Sequence, residues 1–133
     1  MDGSAREHDS GERSQQWDGL LAEPVGGGRF RWQLKAQNGR LVAVSLPVHA
    51  SPADAERAFA DLVEAAPALV ARITHVRDGL GWVWVVPGPN GAALVRSHRA
   101  YERYATCQNA FRRFVALLVK QGGRSPAGPG GRR

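Results

Sequence analysis

The sequence predicts an α+β fold, in which a mostly antiparallel sheet of five or six strands carries two helices on one face. A pattern of residues recurs after 52 positions without a gap, and within each copy the apolar spacing changes from that of strands to that of a helix. Eight identical pairs between positions 30 and 63 define the recurrence: Trp32 and Trp84, Asn38 and Asn90, Gly39 and Gly91, Ser45 and Ser97, Ala53 and Ala105, Ala58 and Ala110, Phe59 and Phe111, and Val63 and Val115. We therefore predict one duplicated domain over 29–120, with β-β-(β)-α repeats at 29–67 and 71–120.

The strands of repeat one are indicated by alternation. Phe30, Trp32 and Leu34 alternate with polar residues, which is typical of a strand with one buried face. Asn38-Gly39 supplies the positive φ angles of a tight hairpin turn, and residues 41–44 return as the second strand.

A helix follows in repeat one. Ser51 is a suitable N-cap, Pro52 suits the first helical position, and Asp54 stands three residues after the cap, as in a capping box. The residues beyond recur at steps of three and four and form one apolar face: Ala55, Phe59, Leu62, Val63 and Ala66.

Repeat two has the same order with an additional strand at 71–77, followed by the turn Asp78-Gly79. Residues 82–86 and 92–97 form the next hairpin, and 101–120 contain the second helix, whose apolar face is Cys107, Phe111, Phe114 and Leu118. A counterpart of the additional strand in repeat one would fall near 17–22, an assignment that the sequence leaves open.

Large aromatic side chains from both repeats are expected to meet in one core: Phe30, Trp32, Trp82, Trp84, Phe59, Phe111 and Phe114. The ends of the chain have the composition of disordered tails. We expect a mostly disordered acidic and glycine-rich tail at 1–28, and a disordered basic tail at 121–133.

Composition excludes several classes of protein. The chain has 133 residues, 43% hydrophobic and 23% charged, which fits one globular domain. No apolar run is long enough to span a membrane, and the polar N-terminus lacks the apolar segment of a signal peptide, so a cytoplasmic location is expected. The single cysteine, Cys107, cannot form an internal disulfide or a multi-cysteine metal site.

The segment 30–39, continuing to Val44-Ser45, and the Asn-Ala-Phe stretch at 109–111 resemble a small prokaryotic family, the YegP-type proteins, in their tandem-duplicated form. The resemblance covers about 29–65 and 71–118. It implies a β-β-β-α repeat, found as duplicated monomers or as dimers of single-copy chains, and it implies no known activity. The chain departs from the family pattern at His49, where tyrosine is expected, and at Arg103, which replaces the cap residue Ser51.

The sequence predicts no catalytic, cofactor or metal site. The four histidines lack zinc-ligand spacing, and Cys107 aligns with Ala55 on an apolar helix face, as a buried small residue would. Ser45 and Ser97 recur at equivalent strand ends and are the candidate functional polar pair, although a serine there commonly bonds the following loop. A weaker hypothesis is an enzyme using Ser97, His98 and Tyr101.

The formal net charge of +6 suggests a polyanionic partner, although 16 of the 18 basic residues are arginines, which a GC-rich coding sequence also produces. The positive charge is concentrated in the second half of the chain. Residues 1–28 carry six acidic and two basic residues, whereas 68–133 carry eleven basic and two acidic residues. Candidate nucleic-acid contacts are Arg96, Arg99, Arg103, Arg112 and Arg113. Trp32 and Trp84, however, lie on the predicted core face and not on an exposed stacking surface.

These observations favour a non-enzymatic module that acts by contact with a protein, and no membrane partner is expected. Self-association is one form of such contact, because Val83 and Val85 make the second face of their strand apolar as well. The alternative is sequence-nonspecific nucleic-acid binding through the arginine-rich second half.

Overall fold

The computed structural model describes residues 17–76 and 79–124, which form one six-stranded antiparallel sheet and two long helices. The strand order is β1-β2-β3-β6-β5-β4, and both helices pack on one face and against each other. The elements in chain order are β1 (Leu20–Gly26), β2 (Arg29–Lys35), β3 (Leu41–Ser45), α1 (Pro52–Ala65), a 3₁₀ turn (Ala66–Ala68), β4 (Arg72–His75), β5 (Trp82–Pro87), β6 (Ala93–Ser97) and α2 (Tyr104–Arg124). The predicted α+β class is confirmed.

The centre of the sheet is the antiparallel pairing of β3 with β6, in which Val44 lies opposite Arg96. On one side of this pair the Leu46 N–H donates to the Leu94 carbonyl at 3.0 Å, and on the other the His98 N–H donates to the Val42 carbonyl at 3.1 Å. Because each residue of these bonds has its counterpart 52 positions away, the sheet has an approximate two-fold arrangement around Val44 and Arg96.

Two hairpin turns show the same spacing. The Asn38 side chain accepts from the Arg40 N–H at 2.9 Å, and the Asn90 side chain accepts from the Ala92 N–H at 3.1 Å. The glycine after each asparagine has a positive φ, +83° at Gly39 and +89° at Gly91. Both turns predicted from Asn-Gly are confirmed, because glycine adopts this backbone conformation without a Cβ clash.

The two helices begin 52 residues apart but are capped differently. The Ser51 Oγ accepts from the Asp54 N–H at 3.1 Å, which confirms the predicted N-cap, while the Asp54 carboxylate accepts from Arg57 at 3.1 Å. At α2 the Arg103 carbonyl accepts from the Cys107 N–H at 3.1 Å. A helix can start there without a serine because its apolar face, including the fully buried Cys107, packs on the core.

The core lies between the sheet and the helices. Trp32 contacts Phe59 edge-on at 5.1 Å between ring centres, and Trp84 stacks on Phe114 at 4.7 Å. These four side chains are at most 1% exposed. Trp82 and Phe111 are partly buried against this core, and Phe30 is half-buried near the strand end. Burial also raises the pKa of the Cys107 thiol above its ordinary value, so this cysteine is a core residue and a poor nucleophile.

Two described elements extend beyond the predicted domain range of 29–120. Strand β1, Leu20–Gly26, lies inside the range assigned to the N-terminal tail, and α2 continues to Arg124, past the predicted end at 120. Pro24 and the glycines after it resemble a tail in composition, yet an edge strand tolerates proline. Parts of the predicted tails, residues 1–16 and 125–133, lie outside the described residues. So do Arg77, the end of the predicted strand at 71–77, and Asp78 of the predicted turn.

The outer strands differ by one residue in register. Ala22 of β1 lies opposite Trp32, whereas Ile73 of β4 lies opposite Trp84, so the edge strands correspond at a spacing of 51 and not 52. Val83 and Val85 are half-buried on the sheet face that does not carry the helices. Self-association over that face stays a prediction.

Neither described helix is long and apolar enough to cross a membrane.

Candidate anion-binding cleft

Ser45 and Ser97 are buried hydrogen-bonding residues with equivalent contacts. The Ser45 Oγ accepts from the Trp32 N–H at 3.0 Å and donates to the Pro47 carbonyl at 3.3 Å. The Ser97 Oγ accepts from the Trp84 N–H at 3.3 Å and donates to the Arg99 carbonyl at 2.9 Å. Each serine thus connects a core strand to the loop that follows its own strand.

These contacts leave the serine pair no room for chemistry. Ser45 is 1% exposed and Ser97 is fully buried, so neither hydroxyl can reach a substrate in solution. Each hydroxyl proton is directed at a carbonyl oxygen, which is not a general base. The geometry supports a structural role and gives no support to an enzyme built on Ser97, His98 and Tyr101.

Replacing Ser97 with alanine is expected to lower the free energy of unfolding by about 1–3 kcal/mol, because it leaves the Trp84 N–H and the Arg99 carbonyl without their partner. Ser45→Ala should cost a similar amount, since its two bonds are equivalent. Chemical denaturation followed by circular dichroism measures both. A Ser97→Ala protein as stable as the parent would contradict the structural role.

The predicted nucleic-acid contacts do not lie on one surface. Arg96 lies opposite Val44 and Val85, on the sheet face away from the helices, and its guanidinium donates to the Ser97 carbonyl at 2.9 Å. Arg103 precedes α2, and Arg112 is exposed with its guanidinium donating to Asn109 at 3.3 Å. The structure brings together the remaining two, Arg99 and Arg113, and places them in a cleft.

The cleft lies between the β2–β3 hairpin, the segment after β6, and α2, and has a volume of about 470 Å³. Four cationic side chains line it: Arg40, Arg99, Arg113 and Lys120. The rest of the lining is mostly apolar or aromatic and includes Leu41, Val42, Tyr101, Ala110 and Leu117. Arg40 and Lys120 were not predicted from the sequence, because they are 80 positions apart and only the fold places them in one cleft.

Tyr101 lies among these cations. The Arg99 guanidinium carbon is 5.0 Å from the centre of its ring, which is within cation–π distance. Burial raises the pKa of the Tyr101 phenol above its ordinary value, and the nearby Arg99 and Arg113 charges act in the opposite direction. The phenol therefore remains protonated at neutral pH, where it can donate a hydrogen bond.

The backbone holds Tyr101 in place. Its N–H donates to the Trp82 carbonyl at 2.8 Å, and the Trp82 N–H donates to its carbonyl at 2.7 Å. His49 forms the equivalent pair of bonds with Phe30 in the first half, at 2.6 and 2.8 Å. His49 and Tyr101, which differ between the two halves of the sequence, thus occupy equivalent positions in the structure.

The cations of the cleft come from both halves, Arg40 from the first and the other three from the second, but they are not repeated at the corresponding positions. The residues 52 positions away from the four cations are uncharged or acidic: Ala92 for Arg40, Pro47 for Arg99, Asp61 for Arg113 and Ala68 for Lys120. A position-by-position comparison of the two halves is the sequence signal that finds this cleft. Because these cations are absent from the corresponding positions, they form a local site and do not simply reflect the high arginine content of the chain.

The cleft can hold an anion with an apolar part. Guanidinium groups match the geometry of carboxylates and phosphates, and the apolar lining suits aliphatic or aromatic groups. The ion pairs between described side chains, Arg31 with Glu23 and Arg57 with Asp54, involve none of the cleft cations. Within 17–76 and 79–124 no group of three acidic, histidine or cysteine residues could hold a metal ion.

Comparison with known proteins identifies the fold. No family model matches the chain, and a search of curated proteins finds no significant match. The solution structure of YegP from E. coli, a protein of unknown function, superimposes with a TM-score of 0.63 at 18% identity, over 77% of this chain and 85% of that one. The solution structure of a UPF0339 protein from Shewanella oneidensis gives 0.60 at 16% identity, over 75% and 81%. The resemblance to YegP-type proteins is confirmed at the level of the fold.

Proposed function

We propose that this protein is a non-enzymatic binding module whose cleft holds an acidic segment of a partner protein. The observation that carries the proposal is the set of four cationic side chains around an apolar lining, a set that is not repeated at the positions 52 residues away. The candidate nucleophiles give no support to an enzymatic function, because the side chains of Ser45, Ser97 and Cys107 are all buried.

A peptide segment fits the cleft because it can present both chemistries that the lining offers. Carboxylates of aspartate or glutamate would pair with Arg99 and Arg113, and a neighbouring aliphatic side chain would pack on Leu117. Three of the four cationic residues are arginines, and a guanidinium group can bind a carboxylate with two parallel hydrogen bonds. The charged groups are exposed, so the affinity is expected to be moderate and to fall as salt increases.

Nucleic-acid binding is the second candidate, and the charge of the second half is the observation that favours it. A nucleic acid binds along a continuous row of cationic side chains, and its affinity depends on how many of them contact phosphates. Arg96 lies on the opposite sheet face from the cleft, so the five arginines named from the sequence do not supply a single track. This arrangement favours a local anionic ligand over a polynucleotide.

The test measures fluorescence anisotropy of a labelled peptide of alternating glutamate and leucine against the full chain. The Arg99→Gln/Arg113→Gln protein should bind about tenfold more weakly or worse, because two charge-assisted contacts are lost. The matched control is Arg103→Gln/Arg112→Gln, which removes the same charge near the same helix but outside the cleft. The control should bind within about twofold of the parent.

Two further probes separate the candidates. The peptide with glutamine in place of glutamate should not bind, and labelled single-stranded DNA should bind no better to the parent than to the cleft variant. Equal losses in both double variants, or a DNA affinity that exceeds that of the peptide and falls steeply with salt, would favour nucleic-acid binding. No binding of the acidic peptide at low salt would reject the proposal.

A further inference from the structure

The N-terminal segment joins the folded domain beside the cleft. The Asp18 N–H donates to the Gln121 side-chain oxygen at 3.0 Å, and the Gln121 amide donates to the Asp18 carbonyl at 2.6 Å. Gln121 is 4% exposed, and the ring of Trp17 contacts Phe59 edge-on at 5.5 Å between ring centres. The chain is therefore fixed at residues 17 and 18, next to the last turns of α2.

This attachment point shares its walls with the cleft. Asp18 and Gly19 line a small cavity of about 70 Å³, and three residues of that cavity also line the cleft: Ala36, Leu117 and Lys120. Residues 18 and 19 therefore lie at one end of the cationic cleft. The first 16 residues, even half extended, are long enough to reach its other end, since an extended residue spans about 3.4 Å.

The charge of that segment is opposite to that of the cleft. Residues 1–16 contain four acidic residues, Asp2, Glu7, Asp9 and Glu12, against two arginines. The cleft carries four cations, whose contacts within the described residues include no ion pair. The charges and the point of attachment are independent observations, and both favour contact between this segment and the cleft.

We infer that the acidic segment over residues 2–12 docks in the cleft and competes with an external acidic ligand. This inference rests on the proposed function, because it assigns the same site an internal occupant. Tethering gives the segment a local concentration in the millimolar range, so even a weak contact occupies the cleft for much of the time. The protein then binds its partner only when the partner displaces the segment.

The test compares the full chain with two variants, using the same labelled glutamate-leucine peptide. Deletion of residues 1–16 should tighten peptide binding about fivefold, the gain expected when a weak tethered competitor is removed. Neutralisation of the segment, with Asp2→Asn, Glu7→Gln, Asp9→Asn and Glu12→Gln together, should have the same effect at unchanged length. In the Arg99→Gln/Arg113→Gln background neither change should alter affinity, because the segment has lost its site.

A second readout detects the contact without a peptide. Deletion of 1–16 should shift the backbone amide resonances of Leu117 and Lys120, and high salt should shift those of the full chain in the same direction. Full and truncated chains that bind the peptide equally would overturn the inference and leave the proposed function standing. Failure of both chains to bind would instead reject the proposed function. Tightening by deletion but not by neutralisation would show steric blocking and overturn the charge-based contact.

Discussion

Trp84→Ala is expected to lower the free energy of unfolding by about 3–5 kcal/mol, the usual cost of removing a large aromatic side chain from a core. Trp84 is fully buried, stacks on Phe114 at 4.7 Å and lies 5.3 Å from Phe111 between ring centres. The ring lies between the sheet and α2. Because both elements are held by their other contacts, they cannot close the space that alanine would leave. A folded domain is typically stable by about 5–15 kcal/mol, so the variant should be near its unfolding limit.

Urea denaturation followed by circular dichroism measures this loss, and it avoids the change in fluorescence that the substitution itself causes. The matched control is Trp82→Ala two positions earlier, where the ring is only partly buried. The control should cost clearly less, since less apolar surface is involved. If Trp84→Ala cost no more than Trp82→Ala, the ring would not have the central position described above.

Gly19→Ala is expected to cost about 3 kcal/mol, from backbone strain and overpacking together. Gly19 has a φ of +80°, and a Cβ added there would lie 2.2 Å from the Lys35 carbonyl oxygen. The backbone cannot easily move away, because the Lys35 N–H donates to the Gly19 carbonyl at 2.9 Å. Alanine should therefore separate the start of β1 from the end of β2.

Gly39→Ala is the matched control, because Gly39 has a φ of +83° but open space around the added Cβ. Only the conformational strain remains there, about 1 kcal/mol. The difference between the two variants isolates the steric contact at Gly19. If denaturation under the same conditions showed equal losses of unfolding free energy in the two variants, the Lys35 carbonyl would be able to move away without a cost.

The sequence predicted the elements whose signals are local. Alternation located β2 and β5, Asn-Gly located both hairpin turns, and Ser51-Pro52 located the start of α1. The recurrence after 52 residues also paired residues that the structure places in equivalent hydrogen bonds, such as Ser45 and Ser97. Tandem duplication as the origin of that recurrence stays a prediction.

Strand β1 and the cleft could not be predicted in the same way. Strand β1 is an edge strand with Pro24 and only one buried residue, Leu20, so its alternation is weak. The cleft depends on register. Arg96 faces away from α2 because it pairs opposite Val44, and Arg40 joins Lys120 only because the hairpin lies beside the end of the helix.

The two-fold arrangement around Val44 and Arg96 has a consequence for stoichiometry. In a homodimer every substitution occurs twice, and any ligand pocket away from the two-fold axis is duplicated. Here both halves belong to one polypeptide, so Pro47 and Asp61 can differ from the residues at the corresponding positions, Arg99 and Arg113. If the proposed function is correct, the expected ratio is one acidic ligand per chain and not two.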